Sequence, residues 1–363
     1  MALPVAYAVL ATVALALAAD AAYLLRQGVW AAHYTFSARP LSEVADAAGA
    51  DAETRAFLER VQRIRRYAVD ELGLEETGSY TTYVDIDRDN LVYVVSGADE
   101  LSFDRYRWWY PLVGRLPYRG FYELDGARAE AAEIGGRGYD TLVRRVDAYS
   151  SLGFVSDPLY SFMREYSEFA LAELIIHEMA HATVFVRGSA AFNEEFATVV
   201  GREGALSYLR ERYGAASPEY LDTVRRLRDR RVFLAYIATL RNRLSRLYEE
   251  NRPPEEARMA KERIIAGSQQ SFARNADRWF RSDRYGWFAE VEIDNALIDL
   301  YATYNAGRMD GYGDESSVFE DTFRRLGRSV PALVDAVRAA AATDDPDAAL
   351  SESPGSARPW GGG

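Results

Sequence analysis

The sequence predicts an α+β protein, with a small antiparallel or mixed sheet lobe first and a larger helical lobe after it. Three observations carry that prediction. Short β-branched and aromatic runs are confined to the first half of the chain, and from Ser167 onward the apolar residues recur at helical spacing. The third is composition: 48% of the 363 residues are hydrophobic and 13% aromatic, enough apolar surface for a large core and enough to exclude wholesale disorder.

The elements follow in order. Residues 2–19 carry no charge, and the apolar character continues to Leu25, about the length that spans a hydrocarbon core. Residues 1–26 are therefore expected to be one N-terminal transmembrane helix serving as a membrane anchor or signal-anchor. A cleaved signal peptide is the alternative, although no Lys or Arg precedes the apolar run. The folded domain is expected over 27–344, its mixed lobe over about 27–165 and its helical lobe over about 166–344. Leu41–Leu72 reads as one helix. Ser79–Asp87 and Leu91–Ser96, separated by Arg88-Asp89-Asn90, read as an antiparallel hairpin, with further strands at Tyr118–Glu123 and Thr141–Tyr149. Ser217-Pro218 reads as an N-cap and first turn; Pro253-Pro254 stops that helix, and another fills Glu255–Trp279. Residues 345–363 have the composition of a disordered tail.

Charge and residue usage narrow the chemistry. The 43 Lys and Arg against 55 Asp and Glu give a formal charge of −12, which argues against general nucleic-acid binding. There is no Cys, so disulfides, thiolate metal sites and Cys nucleophiles are excluded, and any metal must be held by His and carboxylate. Only three His exist: His33, His177 and His181. The last two stand in His177-Glu178-Met179-Ala180-His181. On a helix, positions four apart share a face, so both imidazoles can point at one ion. Glu178 sits about 100° around the axis, where it can act on a water beside the metal without ligating. Two imidazoles, one further protein ligand and an open position suit Zn2+ and hydrolysis, with manganese or cobalt as alternatives. Two His and a Glu buried on so apolar a helix would be costly without partners. After Gly188 a second helix opens at Phe192-Asn193-Glu194-Glu195. Folded as an antiparallel hairpin, it sets Glu194 opposite His181, with Glu195 as the alternative third ligand.

The stretch IIHEMAHATVFVRGSAAFNEEFAT (Ile175–Thr198), supported by SYTTYVDI (Ser79–Ile86), PLVGRLPYRGFY (Pro111–Tyr122), AYSSLGFVSDPL (Ala148–Leu159) and NALIDLYATYN (Asn295–Asn305), resembles the bacterial zinc aminopeptidase family of gluzincin type. The resemblance covers most of residues 30–340. It implies a zincin-like metallopeptidase fold and removal of N-terminal residues from peptides. It further implies one Zn2+ held by His177, His181 and Glu194, with Glu178 as catalytic base. Relatives commonly begin with a lipoprotein signal ending in Cys, which this chain lacks; the resemblance thus implies an extracytoplasmic domain held by an uncleaved helix, although Arg26 and Arg39 taken alone would orient it inward. Tyr304, Tyr149 and Arg119 are candidates for a further oxyanion donor. The expected partner is a peptide substrate, and no protein partner is inferable. A zinc endopeptidase and a non-catalytic, membrane-tethered scaffold with a structural metal site are the alternative functions.

Overall fold

The computed structural model describes residues 23–30, 32–47, 51–110, 114–146, 157–305 and 317–352. Helix α1 is seen at residues 23–30 and 32–37. It is followed by β1 (Arg39–Pro40), α2 (Leu41–Asp46) and α3 (Ala52–Asp70). The single helix expected over Leu41–Leu72 is thus two. Ala47 is extended, and Asp51 starts a new helix by accepting from the Thr54 N–H at 2.6 Å.

The strands β2 (Thr82–Val84), β3 (Val92–Asp99), β4 (Trp108–Tyr110), β5 (Gly114–Leu116), β6 (Arg119–Phe121), β7 (Tyr139–Val146) and β8 (Leu159–Tyr160) form three small sheets, ordered β1-β2-β8, β6-β3-β7 and β4-β5. Helix α4 (Leu124–Gly135) covers the second. The hairpin expected between the Ser79–Asp87 and Leu91–Ser96 runs does not form: β2 pairs with β1 and, in parallel, with β8, while β3 pairs antiparallel with β6 and β7. The physical reason lies in competing partners. Ser161 takes both backbone groups of Ile86, at 2.9 and 2.8 Å, and the Arg88 guanidinium binds the Tyr122 carbonyl and the Tyr34 hydroxyl. Arg88-Asp89-Asn90 also lacks the glycine that a tight hairpin turn favours.

From residue 161 the chain is helical: a 3-10 turn (Ser161–Glu165), α5 (Glu168–Thr183), α6 (Ala190–Tyr213), α7 (Pro218–Glu249), α8 (Pro254–Trp279), α9 (Asn295–Asn305), α10 (Val318–Arg325), α11 (Val330–Ala340) and α12 (Pro346–Glu352). Ser217 caps α7, accepting from the Tyr220 N–H at 3.2 Å, with Pro218 in the first turn. Helix α12 lies in the segment expected as a disordered tail. Leu350 is fully buried, and its carbonyl accepts from Thr322 Oγ1 and Arg325 Nη2. Residues 353–363 lie outside the described residues.

Three hydrophobic clusters organise the molecule. The largest is built on α5 and α6, flanked by α3, α10, α11 and the first sheet. Leu171, Ile175, Ile176 and Met179 of α5 are fully buried in it, each such side chain stabilising the fold by about 1.5–3 kcal/mol. A second cluster joins α7, α8 and α9, and a third lies under β3, β6 and α4.

The expectation of a membrane-anchored, extracytoplasmic domain is corrected here. Among the described residues no helix is long and apolar enough to cross a membrane. Residues 2–19, which prompted the expectation, lie outside the described residues. What is described of this segment packs on protein: the Tyr23 hydroxyl donates to the Gly120 carbonyl at 2.6 Å, and Trp30 stacks on Tyr34 and Tyr122. Arg26 faces Glu123 at 4.0 Å.

Candidate active site

The site grows out of the α5–α6 hairpin. Ser167 caps α5 by accepting from the Ala170 N–H, and Thr183 closes the last turn onto the Met179 carbonyl at 2.7 Å. Gly188, at φ +80°, turns the chain back. Asn193 then locks the return: its Oδ1 accepts from the Val186 N–H at 2.8 Å and its Nδ2 donates to the Val186 carbonyl at 2.9 Å. With Asn193 buried and both backbone groups of Val186 satisfied, the first turn of α6 is held against the end of α5.

That arrangement brings His177, His181 and Glu194 together. The two Nε2 atoms stand 3.1 Å apart, and the Glu194 carboxylate lies 3.4 Å from His181 Nε2 and 3.8 Å from His177 Nε2. One donor atom from each falls within 4.8 Å of the others. Glu195 is outside this group. Glu203 pairs with Arg202 at 2.9 Å, and Arg202 pairs with Glu320. His33 is exposed beside Trp30 and Tyr34.

The surroundings set the protonation states. Burial, reinforced by the charge of His181, pushes His177 down to about 4 and so favours the neutral imidazole. Contact with His181 holds the Glu194 carboxyl below the usual range. Burial opposes charge on His181, yet the neighbouring Glu194, with Glu178 beyond it, raises its affinity for a proton. These donors fit a cation: two imidazoles and a carboxylate meet at one point, with His177 and Glu194 already in the form that ligation needs. Burial pushes Glu178 up to about 7, with the negative charges of Asp157 and Glu194 adding to the rise and His181 opposing it.

Several contributors carry no motif. Gly201 sits where α6 crosses α5: a Cβ there would lie 2.9 Å from the Glu173 carbonyl oxygen and 3.0 Å from His177 Cβ. At Gly204 a Cβ would meet Leu72 Cδ1 at 2.8 Å and Ile176 Cγ2 at 3.0 Å. The only sequence trace of this crossing is the spacing Gly201-x-x-Gly204. Tyr80 is fully buried at φ +57°, and its N–H donates to the Asp157 carbonyl at 2.7 Å, tying the start of β8 to the strand-forming segment before β2. Of the proposed oxyanion donors, Tyr149 and the Tyr304 side chain lie outside the described residues. Arg119 is engaged elsewhere, with Glu130 at 3.5 Å and over the Tyr23 ring at 4.0 Å.

Burial also pushes Asp157 up to about 6. Its folded value lies above the unfolded value of about 3.9, so the folded state holds the proton more tightly. The associated stability is present below about pH 4 and lost as pH rises through 6. Metal-free Asp157→Asn is therefore expected to melt about 1–3 °C above the unaltered protein near pH 7.5, partial exposure screening the effect. The gap closes near pH 4. A difference in Tm that stays constant across this range would assign the effect to packing instead.

A family model described as Putative aminopeptidase matches residues 22–349. No curated protein and no solved structure matches the chain.

Proposed function

This chain belongs to the Putative aminopeptidase family, and from that premise we propose that it is a zinc-dependent peptide hydrolase of zincin-like fold that removes N-terminal residues from peptides. The observation that supports this most is the meeting of His177, His181 and Glu194 beside a Glu178 that burial has made basic. His177, His181 and Glu194 would hold one Zn2+. When bound, the ion supplies Lewis acidity, lowering the pKa of water to about 7 and polarising a carbonyl.

The remaining work falls to the chain itself. Glu178 accepts the proton of the attacking water and passes it to the departing amine, a role for which an affinity near neutrality is suited. The apolar face of α5 behind the site, with Ile175, Ile176 and Met179 fully buried, keeps bulk water away from one side. Asn193 holds the start of α6, and with it Glu194, in register with His181.

The reading is tested with zinc-loaded protein and matched peptides carrying free or acetylated N-termini, followed by mass spectrometry. Stepwise shortening of the free peptides alone is expected. Internal cuts in both sets would make the protein an endopeptidase. A folded, zinc-bound sample that cleaves neither set would sink the hydrolase reading and leave a structural metal site.

A further inference from the structure

A cavity of about 790 Å3 opens beside His177 and Glu178, a size on the scale of sites that enclose a small ligand, roughly 300–1,000 Å3. Two helices wall it. On α5, Ala170, Leu174 and Glu178 follow one another at a spacing of four, so Leu174 stands next to the proposed base in the same row. Phe169 joins the lining from the first turn, and both it and Leu174 rest on the main core. The second wall is α7, which runs from the main core at Tyr220 to the second cluster at Phe233. The cavity occupies the gap that this departure leaves.

The inner charged groups of this lining already have partners within the protein. Glu168 accepts from the Tyr208 and Tyr213 hydroxyls and pairs with Arg212 at 3.1 Å. Asp222 pairs with Arg226 at 2.6 Å, and Glu173 and Arg230 are likewise engaged. The Thr223 hydroxyl donates to the Glu219 carbonyl at 2.8 Å. Glu219 and Arg284 are exposed and keep their water. What this leaves is carbon. Leu227 follows Thr223 by one turn of α7 and lines the cavity half-buried, yet it belongs to none of the three hydrophobic clusters of the described residues. An aliphatic side chain that borders a cavity and lies outside every core gains by meeting an apolar group there.

We propose that Phe169, Leu174 and Leu227 bind a large apolar side chain of the substrate, so that the favoured peptides carry Leu, Met or Phe beside the cleaved bond. This rests on the peptide-hydrolase reading above and adds the substrate class. A charged or amide-bearing side chain in the same place gives up water and finds the inner polar groups of the wall already engaged. A lone methyl group leaves the three side chains apart, and each further methylene in such a pocket discriminates about tenfold or more.

The test separates binding from turnover. Zinc-loaded, full-length Glu178→Gln is titrated calorimetrically with tetra-alanine and with versions carrying Leu, Gln or Lys at the first or second position. One of the Leu peptides is expected to bind at least about tenfold tighter than tetra-alanine, and its position tells which side of the cleaved bond the cavity serves. The Gln and Lys peptides gain nothing. Adding Leu227→Gln abolishes the margin, while Leu227→Met keeps most of it and guards against a misfolded variant. Equal binding of all the peptides, binding of none, a larger gain from Gln or Lys than from Leu, or a margin that survives Leu227→Gln would overturn the proposal. The two readings fail separately. Binding that depends on an apolar side chain, without cleavage by the unaltered protein, removes the hydrolase reading alone, and cleavage indifferent to side-chain size removes this one alone.

Discussion

Glu178→Gln is expected to keep its metal and to lose turnover by about 10²–10⁴-fold, the range that a positioned general base contributes. The amide is nearly isosteric with the carboxyl, so the packing of α5 is preserved. Glu178 is not among the three grouped donors, so zinc stoichiometry should stay at one by elemental analysis. What is lost is the ability to take a proton from water. The effect should fall on kcat, with KM for a free peptide little changed, because the substitution removes an interaction made in the transition state. A variant with unaltered kcat would sink the mechanism. One that lost zinc in parallel would show that Glu178 supports the metal and not the proton transfer.

His181→Ala is expected to fail at the earlier step. It removes one of three donors and leaves Glu194 without its nearest cationic partner, 3.4 Å away. Excess zinc stabilises a protein that binds it only when folded, by roughly 4 kcal/mol at a thousandfold excess over Kd. For a chain of this size that raises Tm by about 5–10 °C. The unaltered protein should show this rise and His181→Ala should not, while also lacking turnover. A His181→Ala protein that retained stoichiometric zinc would contradict the ligand assignment. Paired with Glu178→Gln, the two substitutions separate holding the metal from moving the proton.

The parts of the fold legible in the sequence are those set by local spacing. His177 and His181 lie four apart, so any helix through them puts both rings on one side, and the ring centroids are 4.7 Å apart. Ser217-Pro218 marks the start of α7 for an equally local reason. What spacing could not supply was partnership between distant segments. The Leu91–Ser96 run has the residues of a strand, but its partners β6 and β7 lie tens of residues farther along the chain. Its neighbour in sequence is diverted by Ser161. The approach of Asp157 to Glu178 depends on a buried Tyr80, and no short window contains the three. The cavity beside His177 was hidden for the same reason, since Arg284 reaches it only through the hold of Asp229 on the loop after α8. Composition misled at the chain start, where an apolar run invited a membrane reading although the helix that follows packs on Gly120 and Tyr122.

The hairpin lock made by Asn193 has a consequence for how the molecule comes into being. His177, His181 and Glu194 span only 18 consecutive residues, and the groups that orient them, from Ser167 to Asn193, lie in the same short piece of chain. Closing so short a loop costs little chain entropy compared with joining distant segments. The donor geometry is therefore encoded in a unit that can assemble as soon as its two helices meet, ahead of the pairing of β2 with β8 or the docking of α10 and α11. The cavity wall, which needs α7 and the loop after α8, must come later. The three donors thus come together before the cavity beside them is walled.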